Sequence, residues 1–474
     1  MSLARLQPIL FLLLSLLLTP VSTLAQGRTL HVVVSIKPIH SIVAALMQGG
    51  DEPQLLVSGT ESPFDYRLTV AQQAQIDSAD LLVWSGAELE PFLAAPAAKL
   101  ATSKQVVELL AHPALKILPD RWVEGQRDPF FWMDSRNMLI LTDELTRTLM
   151  ETDPVRTHLY LHNRSTLLDK LAAMDRRFEY GYRGLSQGVA LLYYDTLHYF
   201  SQAYATHLGE VLSPLPPRPV ATEKLLLARN RIKNGDLICL LTEAGMPNEH
   251  LALLTDGLNV KKGELDSFGR RFQPGPELYM QMMEYNTGVI QACLGGETAG
   301  SPYIGGGDTP GVDRLGGRFI LTDHTGREVT EADLLGSYHI LFFGYTQCPD
   351  VCPTSLQVLS QALKMLGEDE AKRFNPWFIT LDPERDGVAR LREYVGYFGD
   401  KLLGLTGSRG MLETVVKQYR VKYEKVADES GDPAYYTLDH TASLFLIGPD
   451  GRFITKYAPG ITPQALAERL RTYH

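Results

Sequence analysis

The chain has 474 residues, with 55 acidic against 45 basic side chains and a formal charge of −10. That length exceeds what one hydrophobic core usually serves, and the acidic balance argues against a nucleic acid as partner. Four cysteines are too few for a disulfide scaffold in a protein of this size.

The first 25 residues read as a signal peptide. Arg5 supplies a basic start, residues 9–18 are a leucine-rich apolar run, and Thr23-Leu24-Ala25 places small residues before Gln26. Export to an oxidising compartment, such as a bacterial periplasm, is the expectation. The alternative is an uncleaved segment kept as a membrane anchor. No cysteine lies near the cleavage point, which argues against a lipid-anchored form.

Residues 27–294 form the first expected module. LHVVVSI (30–36) is a β-branched strand, followed by the helical run HSIVAALMQ. PQLLVSG and AQQAQIDSADLLVWSG continue the alternation of strand and helix, which predicts α/β architecture with parallel sheets. Asp153 as N-cap and Pro154 at the first helical position open a long helix to about Tyr182. Its stripe is Leu167, Leu171, Met174 and Phe178, and it spans roughly 40 Å at 1.5 Å per residue. VALLYYD and LICLLTE are strands of a second α/β set. Cys239 and Cys293 sit in or beside apolar segments, and in an exported protein they most simply form one structural disulfide.

Residues 295–313, GGETAGSPYIGGGDTPGVD, have linker composition. The second module, 314–474, begins its core with the continuous apolar strand YHILFFGY, followed at once by TQCPDVCPTSL and a helix starting near Pro353. Leu356, Leu359, Leu363 and Leu366 share one face of that helix. WFITLD is a strand, LREYVGYFG a helix and LLGLTG a short strand. TASLFLIGPDGRFITKYAP is a hairpin turning at GPDG, and Thr462-Pro463 starts a terminal helix. Strand, cysteine loop and helix in this order suggest a thioredoxin-like fold.

Cys348 and Cys352, separated by three residues, remain for chemistry. A helix N-terminus beside Cys352 lowers thiol pKa values, and such thiolates either attack disulfides or bind soft metals. His440 lies 92 residues after Cys348, at the mouth of a buried strand. A fold that returns it beside the loop completes a Cys-Cys-His set. Two thiolates and an imidazole suit Cu(I), and Cu(II) would add water or a carboxylate, Asp439 being nearest.

Two resemblances follow. SIKPIHSIVAAL, SPFDYRLTVAQQAQIDSADLLVWSGAELEPFL, DPFFWMD, YYDTLHYF and GELDSFG, in order across 30–294, resemble ZnuA-type zinc receptors of ABC transporters. The resemblance implies two α/β lobes joined by a backbone helix, and it places a disulfide at Cys239 and Cys293 in some members. It implies zinc ligands at Phe64, Phe130, Tyr194 and Asp266, of which only Asp266 is a ligating type. No zinc is therefore expected there, since phenyl rings donate no lone pair. The segment before Asp128, KILPDRWVEGQR, also lacks the histidines of that family's loop. A rebuilt site from Asp195, His198 and Asp266 is a minor alternative. The methionines of YMQMMEY (279–285) read as core filler. The aromatic cleft is filled, takes an apolar or cationic ligand, or receives a partner; simple filling needs no unknown ligand.

GYTQCPDVCPTSL, TLDPERD and LDHTASLFLIGPDG, spanning 314–474, resemble the SCO/SenC proteins, copper-binding thioredoxin-like assembly factors of cytochrome c oxidase. The resemblance implies copper on Cys348, Cys352 and His440, delivered to the dinuclear copper centre of oxidase subunit II or to another copper-receiving membrane protein. Asp382 and Asp386 read as structural or docking residues. Relatives usually hang from an N-terminal transmembrane helix, whose place the receptor-like module takes here. Three functions compete: a periplasmic copper metallochaperone, a thiol–disulfide oxidoreductase using Cys348 and Cys352 on a copper-receiving partner, and, least favoured, a metal receptor for an ABC permease.

Overall fold

Short strands with wholly buried side chains organise both lobes of the first module. The structure is a computed structural model that describes residues 29–59, 61–182, 189–204, 208–215, 218–295, 315–427 and 435–473. The expected signal segment and all but the first residue of the expected linker lie outside them. Among the described residues, no helix is long and apolar enough to cross a membrane.

In the first lobe, Gln54–Leu55, Val32–Val34, Leu81–Trp84 and Gln105–Glu108 form a parallel sheet in that order. The valines of the second of these strands are fully buried, as expected for a parallel sheet covered on both faces. The second lobe repeats the plan with Gly209–Ser213, Ala190–Tyr194, Cys239–Glu243 and Lys261–Leu265. A disulfide ties Cys239 on its third strand to Cys293 on the helix Leu278–Leu294. Met282 and Met283 of that helix are core residues.

The helix Thr157–Tyr182 lies between the lobes in sequence and buries Leu167, Leu171, Met174 and Phe178. Asp153 does not cap it. A 3₁₀ turn, Pro154–Arg156, intervenes, and the Asp153 carboxylate instead accepts from Arg156 Nη1 at 2.7 Å and the Tyr160 hydroxyl at 2.8 Å.

The second module is a seven-stranded sheet in the order Glu328–Thr330, Ile320–Asp323, Leu403–Thr406, Phe374–Thr380, Tyr338–Gly344, Leu444–Ile447, Phe453–Tyr457. Its central strand, Tyr338–Gly344, runs parallel to Phe374–Thr380 and antiparallel to Leu444–Ile447. A separate two-stranded ribbon pairs Tyr423–Ala427 with Tyr436–His440. Thr462 caps the final helix, Pro463–Leu470, by accepting from the Ala465 amide.

Residues 31–474 form one compact unit, so the glycine-rich stretch does not leave two independent bodies. Buried charges join them. Arg318, just ahead of the first strand of the second module, reaches Asp175 of the long helix at 2.5 Å and lies 4.0 Å over the ring of Tyr204. Arg136 donates to Asp134 at 2.8 Å and, across the seam, to both carboxylate oxygens of Glu331 at 2.9 Å. Both arginines are almost fully buried. Lys116 adds an ion pair with Glu328 at 2.8 Å. Nearby, the helix Arg409–Gln418 lies on the helix Ser135–Thr152, where the Gly410 amide donates to Asp143 at 2.5 Å. Gly410 is required by space: a Cβ there would meet Asp143 Oδ2 at 2.7 Å and Leu168 Cδ1 at 2.8 Å.

Removing one partner of a buried ion pair strands the other charge. Arg318→Met is expected to destabilise the protein by about 3–5 kcal/mol, read as a lower midpoint in urea unfolding. An unchanged midpoint would show that the seam does not depend on this charge.

Candidate metal centre

The central strand Tyr338–Gly344 delivers the chain to the cysteine loop, and the helix Val351–Met365 carries it away. The helix starts two residues before Pro353, with Asp350 as the flanking residue. Cys352 therefore lies inside the first turn instead of at the cap. Proline is tolerated there because first-turn amides have no intrahelical acceptor. One such amide, Cys352 N–H, points at Cys348 Sγ at 3.4 Å.

His440 comes from the end of the two-stranded ribbon, four residues before the buried strand begins, and not from that strand itself. Its Nε2 lies 3.2 Å from Cys352 Sγ. Its Nδ1 donates to the Thr441 carbonyl at 3.2 Å, which leaves the Nε2 lone pair facing the sulfurs. The ligating atoms of Cys348, Cys352 and His440 all lie within 4.8 Å of one another, the one such group among the described residues. Asp439 is not in it. Side chains alternate along a strand, and Asp439 is exposed on the opposite face from His440.

Both thiols are free. They do not form two acidic thiolates. The Cys352 thiol donates to Cys348 and holds it down at about 4, against opposing burial, with the loop amides assisting. The same pairing, with burial, pushes Cys352 far above the ordinary thiol range. Two adjacent sulfurs cannot both ionise cheaply, so one proton is shared. Gly344 makes this packing feasible, because a Cβ there would sit 2.8 Å from Cys352 Sγ.

The acidic stretch at 381–386 positions both halves of the site. Asp386, fully buried, accepts from the Thr346 amide at 2.9 Å, the Thr346 hydroxyl at 2.6 Å and the Thr380 hydroxyl at 2.7 Å, which fixes the start of the cysteine loop. Asp382 accepts from the Tyr436 hydroxyl at 2.9 Å and pairs with Arg385. Arg385 in turn lies 3.6 Å over the Tyr436 ring and donates to the Tyr436 carbonyl at 3.1 Å, holding the ribbon that bears His440.

The cleft of the first module contains no comparable donor set among the described residues. Phe130 packs 5.6 Å and Phe64 6.5 Å from Phe268, a ring the sequence reading did not single out. Tyr194 does not join this group: its ring contacts Tyr193, and its hydroxyl donates to the Pro247 carbonyl. Asp266 is buried and accepts from the Arg270 and Arg271 amides, both at 2.8 Å. The alternative built from Asp195, His198 and Asp266 does not assemble. His198 pairs with Asp128 at 2.9 Å, and Asp195 with Arg121 and the Trp122 indole. Lys37 of the first lobe bridges to the second by donating to the carbonyls of Gly269 and Phe272, at 3.3 and 2.9 Å. No sequence pattern announces that buried lysine.

Fold and site together define a two-part protein: a two-lobed solute-binding body, and a thioredoxin-like domain presenting two thiols and an imidazole. The family models agree with both parts. Residues 32–293, more than half of the chain, match the ZnuA model, zinc-uptake complex component A periplasmic, and residues 307–474 match SCO1/SenC. The Arabidopsis thaliana mitochondrial SCO1 homolog 1 is 40% identical over 151 residues, covering 32% of this chain and 44% of that protein. The chain thus spans less than half of that relative's length. The structure of Bradyrhizobium japonicum ScoI with copper bound is 43% identical, covering 34% of this chain and 99% of that one, with a TM-score of 0.32. TroA, the periplasmic zinc-binding protein of Treponema pallidum, is 22% identical over 56% of this chain and 99% of its own, with a TM-score of 0.51, a likeness of fold alone. The chain belongs to the ZnuA family through its first module and to the SCO1/SenC family through its second, as the SCO2-like protein of Rickettsia conorii, 34% identical with 76% of its length covered, also shows.

The shared proton makes a pH prediction. Because its pKa is lowered, Cys348 is ionised above about 4 and loses its reactivity as pH falls through that value. Alkylation of Cys348 is expected to stay fast down to that region. In Cys352→Ala, which removes the donated hydrogen bond, the midpoint moves up toward the ordinary thiol value of about 8.5. Mass-spectrometric rate profiles of both proteins check this.

Proposed function

We infer that the protein is a copper metallochaperone acting outside the cytoplasm in the assembly of cytochrome c oxidase. The observation that carries this reading is the convergence of two thiols and one imidazole within 4.8 Å. Soft sulfur donors with a neutral imidazole suit Cu(I), which accepts three-coordination, and the buried thiol pair keeps hard cations at a disadvantage. Copper is the cargo. Cys348, Cys352 and His440 hold it, and Asp386, Asp382 and Arg385 keep the three donors together before it arrives. Membership of the SCO1/SenC family and the copper-bound ScoI relative support the same cargo. The recipient this reading favours is the dinuclear copper centre of oxidase subunit II. The ZnuA-type module agrees with a periplasmic setting, and its aromatic cleft argues for a body that carries no zinc.

The Cys348 thiolate supports a second activity on the same residues. It attacks one sulfur of a partner's disulfide, forming a mixed disulfide and releasing the partner's other sulfur as a thiolate. Cys352, giving up its proton, then attacks Cys348 Sγ and releases the second partner thiol. Two electrons pass to the partner, and the pair ends as a disulfide.

The reduced full-length protein is expected to bind about one Cu(I) per chain. Cys348→Ser, Cys352→Ser and His440→Ala should each lower that stoichiometry or affinity in a chelator-competition titration. Retention of wild-type binding by all three would refute the chaperone reading. His440→Ala is expected to spare the disulfide reaction, which separates the two activities.

A further inference from the structure

We propose that the first module positions His440: Asp143, Arg164 and Asp169, all upstream of the linker, hold the helix Arg409–Gln418 from which the His440 ribbon is hung. The proposal rests on the copper reading and adds a role for the module that has lost its own metal site.

The ribbon packs through one strand only: Leu438 is buried, and the His440 ring lies 6.2 Å from that of Phe342 and 6.0 Å from that of Tyr345. Every residue of Tyr423–Ala427 is exposed, so its roots decide where it stands. One root is the clamp formed by Asp382 and Arg385. The other is the helix Arg409–Gln418. That helix ends at Gln418, Arg420 turns the chain through a positive φ of 53°, and the Val421 amide returns to the Val416 carbonyl at 3.0 Å. Lys422 and Thr441 then bond in both directions: the Thr441 amide donates to the Lys422 carbonyl at 2.8 Å, and the Lys422 amide to Thr441 Oγ1 at 3.0 Å. In the next register pair Tyr423 stands opposite His440, and Thr441 carries the carbonyl that orients His440 Nδ1. The path from helix to imidazole is thus short, covalent on one strand and hydrogen-bonded on the other.

The helix itself is held largely from the other module. Ser408 caps it by accepting from the Met411 amide, and Asp143, fixed by Arg164 Nε at 2.7 Å, accepts from the Gly410 amide. A carboxylate at a helix N-terminus satisfies orphan amides and complements the helix dipole. Arg164 also reaches Glu413 at 3.4 Å, and Lys417 reaches Asp169 at 2.6 Å. On its other side, Arg409 pairs with Glu384 at 2.6 Å, within the acidic stretch that clamps the site. These contacts involve neither the sulfurs nor the imidazole, so Asp143 and its neighbours are positioning residues.

The test uses the full chain, loaded with Cu(I) for affinity and with Cu(II) for spectroscopy. Asp143→Asn and Gly410→Leu, the first removing the charge and the second forcing the helices apart, are expected to weaken Cu(I) about 10–100-fold, the range for residues that orient a ligand. The nitrogen coupling in the electron paramagnetic resonance spectrum should weaken while the sulfur-to-copper charge-transfer band remains. Ile76→Ala, a cavity in the first lobe away from the seam, is the control and should change neither. Wild-type affinity and nitrogen coupling in both seam variants would overturn the proposal, as would an equal loss in the Ile76→Ala control. A wild-type protein that binds no Cu(I) would instead refute the copper reading itself.

Discussion

The buried ion pairs around Arg318 decide what kind of molecule this is. A glycine-rich connection on its own gives two bodies that drift. Arg318 and Arg136, set among Asp134, Asp175 and Glu331, convert them into one. Charge is a demanding way to join surfaces, because any other orientation leaves desolvated ions unpaired. An apolar seam of equal strength would tolerate sliding and would expose a sticky patch whenever it opened. The ionic seam therefore favours one relative orientation, on which the precise approach of Gly410 to Asp143 depends.

The same logic separates the cleft of the first module from the thiol site of the second. In the first module, the rings of Phe64 and Phe130 pack on Phe268, and the carboxylate of Asp266 is engaged by backbone amides. Lys37 bridges the lobes across the former opening. In the second module the donors are kept close without a metal. The shared thiol proton removes the repulsion of two thiolates, and Asp386 and Asp382 fix the two segments that carry the ligands. The cost of assembling the site is met by the fold before any cargo binds.

Much of this was legible in the sequence where a local rule applies. The buried strands, the stripe of the long helix, the paired cysteines and the histidine beyond them follow from periodicity and residue chemistry. Local rules also misled. Asp153 looks like a cap but serves Arg156 and Tyr160, and Pro353 suggested a helix start two residues late. That shift puts a free amide on Cys348, and of the two thiolates expected only Cys348 is acidic. Phe268, Lys37, Arg318 and Asp143 were not singled out because their roles are set by partners far away in sequence, with no pattern along the chain. Tyr194 shows the converse: a family position predicted to face the cleft has turned its ring to Tyr193 and its hydroxyl to Pro247.

The site is also mechanically unequal. Both sulfurs belong to one strand–loop–helix unit rooted in the central sheet, where Cys352 is fully buried and Gly344 leaves no spare room. The imidazole stands on a ribbon with one exposed strand, held at its base by hydrogen bonds to Lys422 and at its far end by the Arg385 clamp on Tyr436. A soft cation bound by all three therefore has two fixed donors and one whose position is set by contacts outside the site. Under the copper-carrier proposal this asymmetry has a use: retention depends on all three donors, while release requires only the weakest-held one to move. Since the helix at the base of that ribbon rests on Asp143, the ZnuA-type body has a physical route to the imidazole of His440.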